Sequence, residues 1–334
     1  MAPAHGRGHR QSRCSEMARS TVSGDDPWWE VTVARFLVTA LLVSACGGDA
    51  GGSLEFPPAD LADDAATALT YAGVSAPNVY LQGALMVTVA DATIQIDMEA
   101  CPAKTVAGDV TTYAGGCTTA DGEEWFGTAT VTGSQQTAST IVYEGFGRSG
   151  TSMCNGVAYP SSVTYDGTVE TAGGAPTITW SVHTTAQTSG PDQSDGCAVR
   201  TAELGIAYEG TVRQGTKDAD QDGDIDDSYW NGRGQVGNSV EGTVEATTSE
   251  EAIDDQACPD EALSGTTTAS AGGHAITIVY DGATDCNPAS TVRWQYDGQD
   301  RGELSGVECS AGGSPRGALL VVGAVLLARR RRRR

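Results

Sequence analysis

The sequence is poor in the residues that most catalytic and nucleic-acid-binding sites use. Only 6% of its 334 residues are aromatic, it has four histidines, and its only lysines are Lys104 and Lys217. Between residues 46 and 309 the histidines are His183 and His274, and neither has a His or Cys partner at zinc-site spacing. The sequence also lacks a Gly-x-Ser-x-Gly nucleophile elbow and a phosphate-binding glycine loop with lysine. These absences predict a protein that is not an enzyme.

Positive charge is scarce in the middle of the chain. The whole chain has 20 Lys and Arg against 43 Asp and Glu, a net charge of −23. Residues 46–309 hold eight of the basic and 39 of the acidic residues, a net charge of −31. Because such a surface repels phosphate backbones and attracts cations, we predict no nucleic-acid partner.

A short apolar run near the N-terminus ends in a cysteine. One arginine precedes the run 36–43, and Ser and Ala follow it before Cys46. These are the charged, apolar and cleavage regions of a signal peptide, and the run is too short to span a bilayer. The residues Val-Ser-Ala-Cys at 43–46 resemble the lipobox of bacterial lipoproteins. The resemblance implies removal of residues 1–45, lipid on Cys46 and anchoring to a membrane.

The residues around this signal refine the expectation. Residues 1–32 carry acidic side chains ahead of the apolar run, which is atypical of a signal peptide and favours a true start at Val33. Residues 46–58 are rich in glycine and predict a flexible tether. Gly47 after the lipidated cysteine gives no clear inner-membrane retention signal. The expected destination is therefore the cell envelope, at the outer membrane or the cell surface.

The last residues contain a second candidate targeting signal. Cys309 and a spacer of small residues precede the apolar stretch 317–328, which six arginines follow. This order resembles the C-terminal sorting tag of myxobacterial surface proteins, although Glu308 stands where the family has glycine. The resemblance implies processing near Cys309 and surface display, with residues 310–334 forming a short apolar helix and an arginine tail. The alternative is a plain tail anchor with its arginines on the cytoplasmic side.

Six cysteines lie between the two candidate targeting signals. An even number in an exported domain favours disulfides, and six cysteines allow fifteen connectivities. Sequence order suggests the pairs Cys101–Cys117, Cys154–Cys197 and Cys258–Cys286. A rival pair, Cys286–Cys309, would leave Cys258 to find another partner.

Hydrophobic alternation favours an all-β fold. Residues 79–98 alternate apolar and polar side chains and predict strands. The tripeptide Tyr-acid-Gly recurs five times, at 143–145, 165–167, 208–210, 280–282 and 296–298. Some segments are predicted to continue as strands through the glycine: 165–170, 208–213 and 240–245. Period two then places Tyr, Gly and Val on one face and the acid and Thr on the other, and a neighbouring aromatic ring can cover the bare glycine.

We therefore predict an antiparallel meander, as an open wrapped sheet, a sandwich or a barrel. Residues 60–72 show apolar residues at helical spacing and predict one short helix. The main β domain would span residues 59–257, and residues 258–309 could form a small β module of their own.

An acidic stretch, residues 218–229, resembles a calcium-binding loop. Its carboxylates fall at positions 1, 3, 5, 7 and 9 of such a loop: Asp218, Asp220, Asp222, Asp224 and Asp226. Carboxylates this close repel one another unless a dication lies among them. Tyr229 replaces the usual bidentate Glu at position 12, so we predict a lone calcium loop between strands that end near Val212 and begin near Tyr229. A solvated acidic turn is the alternative.

Three functions follow in order of preference. The first is a structural or adhesive envelope lipoprotein, steadied by disulfides and calcium. The second is a carbohydrate- or ligand-binding module, which would expose the rings of Trp125, Trp230 or Trp294. The third is a hydrolase, which would need His183 or His274 beside an acid or a serine in a cleft.

Overall fold

A computed structural model describes residues 54–133, 138–174, 176–192, 196–214, 228–253, 262–280 and 291–305. Within these residues the chain forms two helices, α1 (Ala65–Ala72) and α2 (Ala76–Gln95). The strands are β1 (Ala103–Ala107), β2 (Val110–Ala114), β3 (Cys117–Thr118), β4 (Glu124–Thr132), β5 (Ser139–Cys154), β6 (Val157–Gly174), β7 (Thr177–Asp192), β8 (Ala198–Gln214), β9 (Ser228–Asn238), β10 (Gly242–Ile253), β11 (Ala262–Ala271), β12 (His274–Tyr280), β13 (Thr291–Tyr296) and β14 (Gln299–Ser305).

The strands form one antiparallel sheet in the order of the chain. The path runs from β1 to β14, and the short β3 lies off it, paired with β4. Across the described ranges β1 pairs with β2 alone and β14 with β13 alone, so the sheet is open. The predicted all-β meander is thus confirmed, in its open form. Strands β11–β14, which lie in the segment 258–309, continue the same sheet.

Both helices lie against one side of this sheet, which we call the inner face. Helix α2 packs across the six strands β5–β10, and α1 packs against β12 and β14. The Tyr80 ring of α2 lies 5.4 Å from the Trp180 ring and 5.7 Å from the Trp230 ring. Trp180 in turn stacks on Tyr208, with the ring centroids 5.6 Å apart. The core is therefore an aromatic layer between α2 and the sheet.

The predicted strands over residues 79–98 are wrong, because this segment forms α2. Its buried positions include Val79, Gly83, Met86 and Ala90, whose spacing of three and four residues is helical. Valines and isoleucines favour strands by propensity, but burial of one broad helical face against the sheet decides the conformation here. The predicted short helix is confirmed as α1, whose N-cap Asp64 accepts a hydrogen bond from the amide of Thr67 at 2.8 Å.

The Tyr-acid-Gly strands alternate as predicted. Tyr165 is buried on β6 while Asp166 beside it is exposed. On β8, a side chain added at Gly210 would overlap the Trp180 ring, so the predicted aromatic cover of the glycine is confirmed. The segment 240–245 differs from its prediction, since Val240 lies in the turn before β10 and the strand begins only at residue 242.

Four strands of the sheet extend past their neighbours. The pairing of β4 with β5 stops at Ser149, and the pairing of β9 with β8 stops at Leu204. Beyond these points β5 pairs with β6 and β7 pairs with β8, whereas β6 and β7 stop pairing with each other at Ser162 and Ser189. We call this projection the arm, and it consists of residues 150–161, 187–192 and 196–203.

Candidate functional site

Two of the three predicted cysteine pairs lie in the described residues, and both form disulfides. Cys101–Cys117 and Cys154–Cys197 each have a Cα–Cα distance of 5.8 Å. The first pair links the chain after α2 to β3, and the second joins the two turns of the arm. Cys258 and Cys286, as well as Cys46 and Cys309, lie outside the described residues.

The predicted calcium ligands cannot be placed on this fold. They lie outside the described residues: Asp218, Asp220, Asp222, Asp224 and Asp226. The flanking strands are confirmed, because β8 ends at Gln214 and β9 begins at Ser228. Elsewhere, in the ranges that the structure covers, no group of three or more His, Cys, Asp or Glu is arranged to hold a metal ion.

The tryptophans named for sugar stacking are buried. Trp125 is 1% exposed, Trp294 is 5% exposed and Trp230 is 9% exposed. Their rings pack on the inner face, where Trp230 lies 6.1 Å from Trp180. The exposed rings that a sugar-stacking module would need are therefore not found at these three residues, and stacking on a sugar cannot come from them.

Each histidine of the middle region lies at the surface. His274 begins β12, and its Nδ1 lies 2.8 Å from Asp297 Oδ2 in the β13–β14 turn. The hydrogen bond with His274 lowers the pKa of the Asp297 carboxyl, and both side chains are about half exposed. His183 lies on β7, opposite Thr168 and Ala207. The pair at His274 is a turn contact on open surface rather than a group enclosed in a cleft.

The clearest concavity lies on the side of the sheet opposite the helices, the outer face. It is an open groove with a volume of about 560 Å³, and Gly210 and Gly232 form part of its floor. The polar side chains that line it are Glu170, Thr179, Ser181, Glu209, Thr211, Asn231, Arg233 and Thr247. Glu209 and Arg233 are direct cross-strand neighbours. Hydroxyls, acids and one arginine suit a polar ligand that accepts and donates hydrogen bonds.

The sheet also carries one fully buried acid, Glu251 on β10. The pairing of β10 shifts register between Thr248 and Glu251, so the strand bulges there. Glu250 takes a left-handed conformation (φ +48°), which turns the next side chain inward. Gly265 on β11 allows the bulge, because a side chain there would overlap the Glu250 backbone.

The Glu251 carboxyl faces the start of α2. Thr267 Oγ1 donates to its Oε2 at 3.4 Å, while its Oε1 has no hydrogen-bond partner among the described atoms. Beside it, the Thr248 hydroxyl accepts a bond from the Ala76 amide at 2.9 Å and lies 3.1 Å from the Thr267 hydroxyl. Burial raises the pKa of Glu251 to about 8, against the opposing effect of the Ser75 and Thr267 hydroxyls.

The sequence did not single out Glu251, because 43 acidic residues make any one of them uninformative. The sequence signal that could have found it is the break in the apolar–polar alternation after Val244, Ala246 and Thr248, which indicates a bulge. The break does not identify the acid that the bulge buries.

No helix in the part of the chain that the structure describes is long and apolar enough to cross a membrane. No family model, curated protein or solved structure matches the chain.

Proposed function

We propose that the chain is an exported lipoprotein of the cell envelope, anchored by lipid on Cys46, with a structural or adhesive role and no enzymatic activity. The observation that carries the proposal is the oxidised state of both described cysteine pairs. Disulfides persist in exported proteins and are rare in the cytosol. They support the reading of residues 36–46 as an export signal.

The outer face fits a structural or adhesive role. Its side chains alternate with the buried core positions, and on β6 to β8 many of them are hydroxyls and acids. Such a surface stays hydrated and keeps the chain soluble while it is held at a membrane. The acidic excess also favours bound cations, in line with the proposed calcium loop at 218–226.

Intact-mass analysis of protein extracted from membranes tests the anchor. We expect the mass of a chain that begins at Cys46 and carries acyl groups, with the hydrogens of the disulfide cysteines missing. Cys46→Ala should release the protein from the membrane fraction, whereas Ser53→Ala in the tether should not. Recovery of an unlipidated chain with residues 36–43 intact and reduced thiols would overturn the proposal.

Calorimetric titration with calcium tests the acidic loop. We expect binding with a Kd on the order of 10⁻⁴ to 10⁻³ M, the range of extracellular modules. Replacing Asp220 and Asp222 with Asn should abolish the heat, while Asp60→Asn should leave it unchanged. An absence of heat at millimolar calcium in the unaltered chain would remove calcium from the proposal.

The outer groove favours one second candidate, a module that binds a hydroxylated ligand such as a glycan. It supplies hydroxyls on three strands and a cross-strand pair of opposite charge, Glu209 and Arg233. Screening on a glycan array tests this candidate. Arg233→Ala should abolish any signal, and Arg293→Ala, which removes an exposed arginine far from the groove, should preserve it. Equal signals for both variants would exclude the groove as the binding site.

A further inference from the structure

Exposed apolar side chains gather at the tip of the arm. Met153 is 41% exposed, Val157 is 54% exposed and Val199 is 48% exposed. Met153 and Val157 flank the β5–β6 turn, while Val199 lies near the start of β8. The disulfide Cys154–Cys197 brings the two turns together, so these side chains share one end of the molecule. We call Met153, Val157 and Val199 the tip surface.

The β5–β6 hairpin at the tip differs from the body of the protein in charge. Residues 149–165 contain no charged side chain, although about one residue in five of the whole chain is charged. On the neighbouring hairpin Arg200 forms an ion pair with Asp192, with a nitrogen–oxygen distance of 3.3 Å. An uncharged hairpin end with exposed apolar side chains can approach a lipid surface that an acidic surface cannot approach.

The chain enters the described fold at the root of the arm. The Leu54 side chain covers Gly205 on β8, one residue past the point where the pairing with β9 stops. The Leu54 amide donates to Gln235 Oε1 on β9 at 3.0 Å. Three residues further on, the segment pairs with the start of β10, where the Thr243 amide donates to the Pro57 carbonyl at 2.7 Å. The entry point is therefore fixed to three strands.

The tether and the arm have similar lengths. Seven residues separate Cys46 from Leu54, so the predicted flexible tether reaches at most ~28 Å and would average ~16 Å. Six residues of β8 lie between the arm tip and Leu204, which corresponds to ~20 Å. With the anchor this close, the arm is long enough for its tip to reach the bilayer when the arm is directed toward the membrane.

We propose that the tip surface docks on the lipid bilayer to which the chain is anchored. The inference rests on the proposed lipid at Cys46, because the short tether supplies the high local concentration that three apolar side chains need. The disulfide holds the ends of the two hairpins next to each other. Docking of the tip orients the acidic outer face at an angle to the membrane and leaves the open groove accessible from solvent.

Photolabelling from the bilayer tests the docking. The lipidated full chain is reconstituted in phosphatidylethanolamine–phosphatidylglycerol vesicles that contain a diazirine-bearing acyl lipid, and labelled peptides are mapped by mass spectrometry. We expect label on the peptides that carry Met153 and Val199. The combined substitutions Met153→Ser, Val157→Ser and Val199→Ser should remove that label while the protein stays in the vesicle fraction.

A matched variant distinguishes docking of the tip surface from nonspecific contact of other exposed apolar residues with lipid. Ile96, Met98 and Val106 are the other strongly exposed apolar residues near one another in the chain, and their combined replacement by Ser should leave the tip label unchanged. Label confined to the tether or to the 96–106 peptide would overturn the docking. Intact mass reports the acyl group separately. A chain without it would disprove the proposed function, and a lipidated chain with an unlabelled tip would disprove only the docking.

Discussion

The inner and outer faces of the sheet are built from the same strands but have opposite chemistry. On β7 the ring of Trp180 is buried in the aromatic core, whereas Ser181, the next residue, lies on the outer face and lines the groove. The inner face packs against α2, whereas the outer face interacts mainly through exposed side-chain hydrogen bonds such as the one from Gln235 to Glu245. The difference indicates that stability comes from the inner face, so the outer face can take up function at little cost to folding.

Neighbouring substitutions on β7 should separate the two faces most sharply. Trp180→Ala removes a ring that contacts Tyr80, Tyr208 and Trp230, and we expect a loss of ~3–5 kcal/mol in the free energy of unfolding. Ser181→Ala, one residue away, should stay within ~0.5 kcal/mol of the unaltered protein. Urea unfolding measures both. Similar losses would mean that the outer face also carries the fold.

The buried acid of the inner face should make stability depend on pH. The folded-state pKa of Glu251 is raised from 4.5 to about 8, so the folded state holds a proton that the unfolded state releases. The stability contributed by this proton is complete below pH 4.5 and is lost as pH rises toward 8. Between pH 4.5 and 7 the loss is ~3 kcal/mol.

Glu251→Gln tests this dependence, since glutamine resembles the neutral acid at every pH. The variant should match the unaltered protein near pH 4 in urea unfolding and be more stable than it at pH 7. Glu170→Gln on the outer face is the control and should leave the pH profile unchanged. A variant that is less stable at pH 7 would show that the carboxylate is ionised in the folded protein.

A methyl group added beneath the aromatic layer should have a smaller effect. Gly210→Ala would push against the buried Trp180 ring, and we expect a loss of ~1–3 kcal/mol. Gly73→Ala at the end of α1 meets only a backbone oxygen 3.6 Å away, so thermal unfolding should show it to be nearly neutral. Equal effects of the two alanines would contradict close packing of Trp180 on Gly210.

The smallest effect should come from the charges of the groove. Glu209 is exposed on β8, and Glu209→Gln removes one acid from an already acidic surface. We expect the free energy of unfolding to change by less than ~0.5 kcal/mol, which urea unfolding can bound. A larger loss of stability would show that Glu209 stabilises the fold, contrary to the view that outer-face side chains do not.

The contrast between the two faces could be predicted from the sequence in those strands where apolar and polar residues alternate with a period of two. At Tyr165 and Tyr208 the alternation alone placed the ring inside and the acid outside. Elsewhere the Tyr-acid-Gly tripeptide adopts different backbone conformations. Gly145 lies at a bulge of β5 and Gly298 in the turn before β14, and both have a positive φ. Local residue type does not separate these cases, because the register of the neighbouring strand decides them.

Two features of the inner face could not be predicted for a related reason. The valines of α2 fit either period, and only their burial against six strands selects the helix. Glu251 is buried because register shifts between Thr248 and Ile253 displace β10 against both neighbouring strands. Both outcomes depend on contacts distant in sequence. The predicted anchor at Cys46 and the calcium loop lie outside the described residues and stay predictions.

The strand order has a consequence for the way this chain can reach its folded state. Apart from the docking of the helices, nearly every strand pairs with the strand made just before it, so the sheet forms through contacts that are local in the sequence. A chain synthesised from its N-terminus can therefore add one hairpin at a time, with α2 already present as the template on which the growing sheet packs.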